Sequence, residues 1–224
     1  MKSITLLILL LLPFFCTAQL LENPKKRKLI KKVQSHIEKG YAERDAKSLY
    51  QGLQILLDHD DIDNVLVLVP RTPILDTYEA YDGTYIYVES KKIVKDALLI
   101  TPKNDHKRRK NLERISKTFS SFAEMGVVKP QIYSQTLTIE GRCSRSSTLP
   151  LSSLEDTKKV VVLVEIATNL QFKILDSKKD IIHSNPCNTP SCLSEFNLAP
   201  NNYTIQVKNT HNKPINCLLM FQIK

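Results

Sequence analysis

The sequence lacks the short motifs that identify most catalytic and cofactor sites. Its 224 residues include five glycines, and none of them forms a loop that could cradle a phosphate. Neither a GxSxG nucleophile elbow nor an HExxH metal-binding helix occurs. A catalytic triad can still assemble in space without such a motif. We therefore name no catalytic residue and expect no cofactor and no metal ion. The histidines are scattered, at His36, His59, His106, His183 and His211.

Long apolar runs are also absent, except for one at the N-terminus. The opening MKSITLLILLLLPFFCTAQL has one basic residue, an apolar run from Ile4 to Phe15, and small residues before Gln19, the three parts of a secretory signal. The run is shorter than the roughly 20 residues that cross a bilayer. We predict that residues 1–18 are a signal peptide, that no transmembrane segment follows it, and that the protein is secreted or periplasmic. A lipoprotein anchored at Cys16 is disfavoured, because Phe15 stands where a small residue is needed.

Cysteines are few, but after the signal their number is even. Cys143, Cys187, Cys192 and Cys217 remain, and in an exported chain four cysteines indicate two disulfides. Four residues separate Cys187 from Cys192, whereas two residues separate the cysteines of a usual redox motif. A zinc site would need close cysteine pairs or several nearby histidines, and His183 is the one histidine close in the sequence. We predict structural disulfides. Three connectivities are possible, among them Cys187–Cys192 with Cys143–Cys217.

The first half of the chain has the periodicity of helices. Apolar residues recur at steps of three and four in four segments, which predicts helices there. The stretch from Gly40 to Arg44 is interpreted as the turn of a helical hairpin, and Ser90 as a helix cap. The strings VLVLV (65–69) and TYIYV (84–88) are too short to assign by periodicity. The four helices are expected from Pro24 to about Lys39, from about Asp45 to Leu57, after Ser90, and from Asp105 to about Glu124.

The second half has the period of strands. YSQTLTIEG (133–141) and LQFKILD (170–176) alternate apolar and polar residues, VVVLVEIA (160–167) is a continuous apolar run, and four short strands follow. The serines of CSRSS (143–147) are assigned to a polar loop. Seven strands bounded by turn residues are typical of an antiparallel sandwich or barrel, and we predict a β-sandwich that is jelly-roll-like. The fold class is thus α+β, with a helical region over residues 19–130 and a β-sandwich domain over residues 131–224.

Two strings in the second half resemble a known family. NLQFKILDSKKDIIHSNP and NYTIQVKNTHNKPINCLLMF are similar to the β-sandwich of pre-peptidase C-terminal domains, and the chain as a whole resembles uncharacterised secreted bacterial proteins with a helical region before such a sandwich. The resemblance implies a non-catalytic accessory module. Some members of the family bind calcium, but here Asn169 and Gln171 replace the usual acidic pair and Asp176 alone remains. A calcium site is not expected from so few carboxylates.

The charge pattern points to anionic partners without identifying one. The formal net charge is +9, with basic residues in both halves. Two basic runs stand out, PKKRKLIKK (24–32) and HKRRK (106–110); no aromatic residue interleaves either, so we interpret both as solvated helix faces. Export argues against a nucleic-acid partner. If a basic run does contact an anionic surface, the residues are Lys25, Lys26, Arg27, Lys28, Lys31 and Lys32.

Three hypotheses of function follow from these features. The first is an exported non-enzymatic protein, an accessory or binding module whose partner is an unidentified envelope protein or extracellular polymer. The second is a secreted hydrolase with its site in the helical half or between the halves, carried by the loop segment 58–89. The third is an anionic-surface binder that acts through the basic helices.

Overall fold

The computed structural model describes residues 21–59, 62, 65–70, 85–124, 131–149, 151, 156–165, 169–187 and 189–223. These residues divide into two compact units, the first ending at Gln131 and the second beginning at Ile132. The predicted signal peptide (1–18) and the predicted boundary (126–130) lie outside the described residues. Within the described ranges, no helix is both long enough and apolar enough to cross a membrane.

The first unit contains the four predicted helices. Asn23 caps the first of them with its side chain, and Asp45 caps the second. Ser90 is the first residue of the third helix and not its cap, because Glu89 occupies the cap position without a side-chain hydrogen bond. The helices are α1 (Pro24–Glu43), α2 (Ala46–Asp58), α3 (Ser90–Ile100) and α4 (His106–Glu124).

The prediction of a turn from Gly40 to Arg44 is wrong. Helix α1 continues to Glu43, and Arg44 ends it in the left-handed conformation with φ 52°. Gly40 lies inside the helix, where a Cβ atom would overlap the side chain of Leu49 on α2. The glycine is therefore needed for the close approach of α1 to α2. Periodicity alone does not distinguish this use of glycine from a turn.

The unassigned strings VLVLV and TYIYV form an antiparallel pair of strands in the first unit. They are β1 (Val65–Pro70) and β2 (Tyr85–Val88), with Val67 opposite Val88 and Pro70 opposite Tyr85. The side-chain amide of Gln34 on α1 donates to the carbonyl of Leu68, at 3.3 Å.

The second unit is a β-sandwich, as predicted. One sheet contains β3, β10, β5 and β8 in this order, and the other contains β4, β9, β6 and β7. Successive strands mostly cross from one sheet to the other, which is the jelly-roll arrangement. The strands are β3 (Gln131–Ile139), β4 (Ser144–Leu149), β5 (Lys158–Glu165), β6 (Leu170–Leu175), β7 (Ile181–Cys187), β8 (Ser191–Leu198), β9 (Tyr203–Asn209) and β10 (Ile215–Ile223).

The assignment of residues 143–147 to a loop is wrong, because Ser144 to Leu149 form strand β4. This strand lies at the edge of its sheet and pairs with β9, with Ser144 opposite Lys208 and Leu149 opposite Tyr203. Most of its side chains are exposed polar groups. An edge strand of this kind has no apolar alternation, so its own sequence carries no strand signal.

Apolar side chains fill the space between the sheets. Alternate residues of β6 are buried, among them Phe172 and Ile174, and Tyr133 stacks on Phe221 with ring centroids 4.6 Å apart. The run from Val160 to Val164 is buried throughout. Because successive side chains of a strand point to opposite faces of its sheet, only alternate residues of this run lie between the two sheets.

Candidate functional site

A polar stripe on helix α2 forms one wall of a groove. Lys47, Tyr50, Gln51 and Gln54 line it, and their spacing of three, four and seven residues from Lys47 puts them on one face of the helix. The opposite face carries the buried leucines that pack in the core of the first unit. This burial fixes the rotation of α2 and keeps the stripe at the surface. The buried leucines are Leu49, Leu53 and Leu56.

The start of helix α4 forms the other wall, and Asp105 organises it. One carboxylate oxygen of Asp105 accepts a hydrogen bond from the backbone N–H of Arg108 at 3.0 Å, and the other lies 3.2 Å from the Arg108 guanidinium. Asp105 therefore caps the helix and orients Arg108 at the same time. Lys107, Arg108 and Asn111 line the groove from this side.

The basic run HKRRK thus has two separate roles. The guanidinium of Arg109 turns away from the groove and donates to the carbonyl oxygens of Leu98, at 3.0 Å, and Thr101, at 3.2 Å. These carbonyls end helix α3, so Arg109 caps that helix. The interpretation of this run as a uniformly solvated face is therefore wrong for Arg108 and Arg109, which are half-buried.

The groove has a volume of about 350 Å³, and every side chain that lines it carries a polar group. Three cations and one carboxylate give it a net positive charge, and within the described part of the chain neither Lys47 nor Lys107 forms an ion pair. Tyr50 supplies an aromatic ring, and three side-chain amides supply donors and acceptors. The arrangement suits a polar ligand that carries negative charge.

Asp45 stabilises the end of α2 that carries Lys47. Its carboxylate accepts one hydrogen bond from the Ser48 hydroxyl, at 2.7 Å, and another from the backbone N–H of Lys47, at 2.9 Å. The hydrogen bond from Ser48 is the main reason that the pKa of Asp45 is lowered from its usual 3.8. The carboxylate therefore stays charged at neutral pH and caps the helix at the groove.

The six basic residues predicted on α1 do not reach this groove. Lys25, Lys28, Lys31 and Lys32 are exposed, whereas Lys26 and Arg27 are half-buried. Helices α1 and α2 form an antiparallel hairpin, and the contact between Gly40 and Leu49 marks the end at which the groove lies. Twelve helical residues, or about 18 Å, separate Lys28 from Gly40. Contact of this basic segment with an anionic surface stays a separate prediction.

A buried charged cluster in the helical unit was not predicted. The Asp96 carboxylate is fully buried; it accepts a hydrogen bond from the Tyr41 hydroxyl at 2.6 Å and lies 2.5 Å from the Lys92 ammonium. Asp96 follows buried Ile93 by three residues, and this spacing was the one signal of its burial. Tyr41 is on α1 and the other two are on α3, so the cluster joins these helices.

The four cysteines are free thiols, and three of them are buried within the sandwich. Cys187 and Cys192 share a hydrogen bond between their side chains. Burial raises the pKa of the Cys187 thiol well above its usual 9.0, and it raises that of Cys217 to about 12. Buried thiols of this kind are poor nucleophiles. Cys143 is exposed.

The strand register places Cys143 far from Cys187. The backbone N–H of Asn209 donates to the carbonyl of Cys143 at 2.9 Å, Asn209 lies opposite Leu170, and Leu170 lies opposite Cys187. Three steps between strands separate the two cysteines, which amounts to about 14 Å. A disulfide needs Cα atoms within about 7 Å. This pairing is therefore excluded.

Two of the three possible connectivities are thus excluded. Cys192 lies opposite Val164, which lies opposite Leu219, so at least two strand spacings, about 9 Å, separate Cys192 from Cys217. Cys143 cannot reach Cys192 either, because Cys192 adjoins Cys187. The register does not test the pairing Cys143–Cys217, in which Cys143 is exposed and Cys217 is buried, so the connectivity Cys187–Cys192 with Cys143–Cys217 stays a prediction.

His183 is held by aromatic rings. It packs edge-on against Phe196, with centroids 4.6 Å apart, and lies 5.8 Å from the ring of Phe172. Near it, the Asn185 amide donates to Ser194 at 3.2 Å and contacts Cys192 at 3.7 Å across the edge of the sandwich. Among the described residues, no group of three His, Cys, Asp or Glu side chains could hold a metal ion.

Asp176, the acidic residue that remains from the family's pattern, stabilises its own turn. One carboxylate oxygen accepts from the backbone N–H groups of Lys178 and Asp180, both at 2.9 Å. Gln171 donates to Ser184 at 3.1 Å. These hydrogen bonds give Asp176 and Gln171 a structural role within the β6–β7 hairpin.

Comparison with known proteins does not assign the chain to a family. No protein-family model matches it, and no curated protein matches it. The solved structures to which it is similar include a mitogen derived from Yersinia pseudotuberculosis. The two are 14% identical, the match covers 41% of this chain and 85% of that chain, and the TM-score is 0.35.

Two further similar structures carry descriptions of their roles. A periplasmic inhibitor of g-type lysozyme from Aeromonas hydrophila, PliG, is 13% identical over 42% of this chain and 86% of that chain, with a TM-score of 0.33. The pre-peptidase C-terminal domain of collagenase from Bacillus anthracis is 13% identical over 40% of this chain and 75% of that chain, with a TM-score of 0.25.

Proposed function

We propose that this is an exported, non-enzymatic binding protein that holds an anionic component of the cell envelope or the extracellular space in the groove between α2 and α4. The observation that supports the proposal is the lining of the groove, in which Lys47, Lys107 and Arg108 outnumber the single carboxylate of Asp105. A concave site with charge of one sign attracts ligands of the opposite sign.

The composition of the groove favours binding over catalysis. General base catalysis needs a group that accepts a proton at working pH, and nucleophilic catalysis needs an activated nucleophile. Asp105 is the one carboxylate of the lining, and Arg108 and the α4 backbone already engage it. The other charged side chains of the groove are cations, which bind anions but do not remove protons.

In this proposal the sandwich is an accessory module similar to pre-peptidase C-terminal domains. The strings that carry the resemblance form the β6–β7 hairpin together with strands β9 and β10. Packed apolar side chains such as Phe172 and Ile205 occupy the space between its sheets. The sandwich supports the stability or placement of the protein, and the helical unit supplies the groove.

The test compares two variants with equal changes of charge. One is Lys47→Glu with Lys107→Glu in the groove, and the other is Lys25→Glu with Lys28→Glu at the far end of the α1–α2 hairpin; all four lysines are exposed. Co-sedimentation of the mature protein with purified envelope fragments from the source organism measures binding. We expect the groove variant to bind about tenfold more weakly or worse, and the parent to lose affinity as salt increases.

The control variant distinguishes the proposal from binding through α1. It should retain the affinity of the parent within about a factor of two or three. A loss of binding in the control variant alone would show that the protein binds through the basic run of α1 and not through the groove. Equal binding by all three proteins would overturn the proposal. Circular dichroism confirms that each variant is folded.

A further inference from the structure

We infer that the ligand of the α2–α4 groove is a sugar chain that bears acidic groups, and this inference rests on the proposed function. The groove combines three kinds of side chain: an aromatic ring, several amides, and cations. Each kind matches a different part of an acidic sugar. The ring is that of Tyr50, the amides are those of Gln51, Gln54 and Asn111, and the cations are Lys47, Lys107 and Arg108.

The amides distinguish a sugar from a simple polyanion. A side-chain amide has two N–H donors and a carbonyl acceptor. Sugar hydroxyls both donate and accept, so they can satisfy both ends of an amide. A chain of phosphates offers acceptors only, so it can pair with the N–H donors of these amides but not with their carbonyl oxygens. Gln51 and Asn111 stand on opposite walls, so a hydroxylated ligand meets amides on both sides.

Tyr50 adds a surface for the apolar side of a sugar ring. It is half-buried and lies in the α2 stripe between Lys47 and Gln54. A tyrosine in this position offers an apolar body and a polar tip, and the C–H side of a pyranose packs on such a ring. Neither basic run has an aromatic neighbour in the sequence. The fold places Tyr50 across from the second run.

Arg108 selects the acidic group. Its guanidinium is oriented by Asp105, at 3.2 Å, and it is half-buried, unlike Lys47 and Lys107. An oriented guanidinium binds the two oxygens of a carboxylate or a sulfate group in parallel. Uronic acids and sulfated sugars carry these groups, so the shared chemistry is a planar pair of anionic oxygens on a hydroxylated chain.

The experiment uses matched pairs of probes that differ in charge alone. Oligogalacturonate is compared with its methyl ester, and dextran sulfate with dextran, by calorimetry with the mature protein at about 0.15 M salt. Sodium polyphosphate serves as the polyanion without hydroxyls. We expect one of the acidic sugars to bind at least about tenfold more tightly than its neutral partner and than polyphosphate. Whichever acidic sugar binds better identifies the acidic group as carboxylate or sulfate.

Variants of Tyr50 provide the second readout. Tyr50→Ala should weaken binding of the acidic sugar about tenfold, whereas Tyr50→Phe, which retains the ring, should stay within about threefold of the parent. Binding of polyphosphate should respond to neither variant. A control is Lys28→Ala, on an exposed face at the far end of α1, which should leave all affinities unchanged.

The outcomes separate this inference from the proposed function. If polyphosphate binds as tightly as the acidic sugars, and Tyr50→Ala affects neither, the ligand is a polyanion and the sugar inference is overturned. The proposed function survives that result as long as Lys47→Glu with Lys107→Glu still weakens envelope binding about tenfold or more. If that charge variant binds envelope fragments as the parent does, the proposed function itself fails.

Discussion

At the scale of single residues, the buried Asp96 carboxylate controls the stability of the helical unit. Its two oxygens contact Tyr41 of α1 and Lys92 of its own helix, at 2.6 and 2.5 Å. A buried pair of opposite charges contributes little net free energy, but removing one partner leaves the other charge buried without compensation. Substitution of one member of the cluster should therefore reduce the free energy of unfolding by more than the intact cluster contributes to it.

We predict that Asp96→Asn lowers the free energy of unfolding by about 3 kcal/mol, because it leaves the nearly buried Lys92 ammonium beside a neutral amide. Tyr41→Phe should cost about 1–2 kcal/mol, the contribution of one hydrogen bond to a charged group. Urea denaturation followed by circular dichroism measures both values. A loss below about 0.5 kcal/mol for Asp96→Asn would contradict the role of this carboxylate in the stability of the helical unit.

At the scale of helices, two glycines set the distance between α1 and α2. A Cβ at Gly40 would overlap Leu49, and a Cβ at Gly52 would overlap the side chain of Ile37. The two contacts lie on opposite helices of the hairpin, so each helix contributes one glycine to the interface. Glycine is unfavourable within a helix by about 1 kcal/mol relative to alanine, and the close packing offsets this cost.

We therefore predict that Gly40→Ala destabilises the protein, although alanine is the better helix former. The expected loss is about 1–3 kcal/mol in free energy of unfolding, because an added methyl group overpacks the interface. Ser35→Ala, on the exposed side of the same helix, is the control and should be neutral or slightly stabilising. The same denaturation experiment checks both. A stabilising Gly40→Ala would mean that the helices separate without cost.

The helices and most strands could be predicted because their signal is local. Apolar spacing predicted α1 to α4, and alternation or apolar runs predicted seven strands of the sandwich. The misassigned features depend on partners in other elements: Gly40 of α1 on Leu49 of α2, and strand β4 on β9. Strands β1 and β2 stabilise each other by pairing, and this pairing is not visible in either string alone.

The groove could not be predicted because its two walls are far apart in the sequence. The residues of α2 and those of α4 are separated by about fifty positions, and each set by itself resembles a solvated helix face. The basic run HKRRK was a visible signal, but nothing in it separates Arg109, a helix cap, from Arg108, a groove residue. The packing of α4 near α2 creates the site.

At the scale of the whole molecule, buried ionisable groups in the sandwich make stability depend on alkaline pH. Burial raises the pKa of Cys217 from 9.0 to about 12 and raises those of Cys187 and Tyr133. In the unfolded chain these groups lose their protons at lower pH than in the folded protein. Their contribution to stability is therefore complete below pH 9 and is lost as the pH rises toward 12.

We predict that the free energy of unfolding of the reduced protein falls above pH 9, by up to about 1.4 kcal/mol per pH unit for each of the thiols of Cys187 and Cys217. Formation of the predicted disulfides removes the thiols and should flatten this dependence, leaving the part due to Tyr133. Denaturation from pH 8 to 10.5 with and without reductant measures it, and mass analysis of the alkylated protein counts the thiols. Identical curves in both conditions, with four free thiols, would contradict the disulfide prediction.

The polar edge strand β4 has a consequence for the behaviour of the protein in concentrated solution. An edge strand presents unpaired backbone groups to which another chain can add, and long apolar edges are the usual starting points of aggregation. Strand β4 exposes Arg145 and several hydroxyl groups instead. Its composition therefore protects the sandwich from self-association at high concentration and in storage, and protein engineers should leave this strand hydrophilic even though it lies outside both the core and the groove.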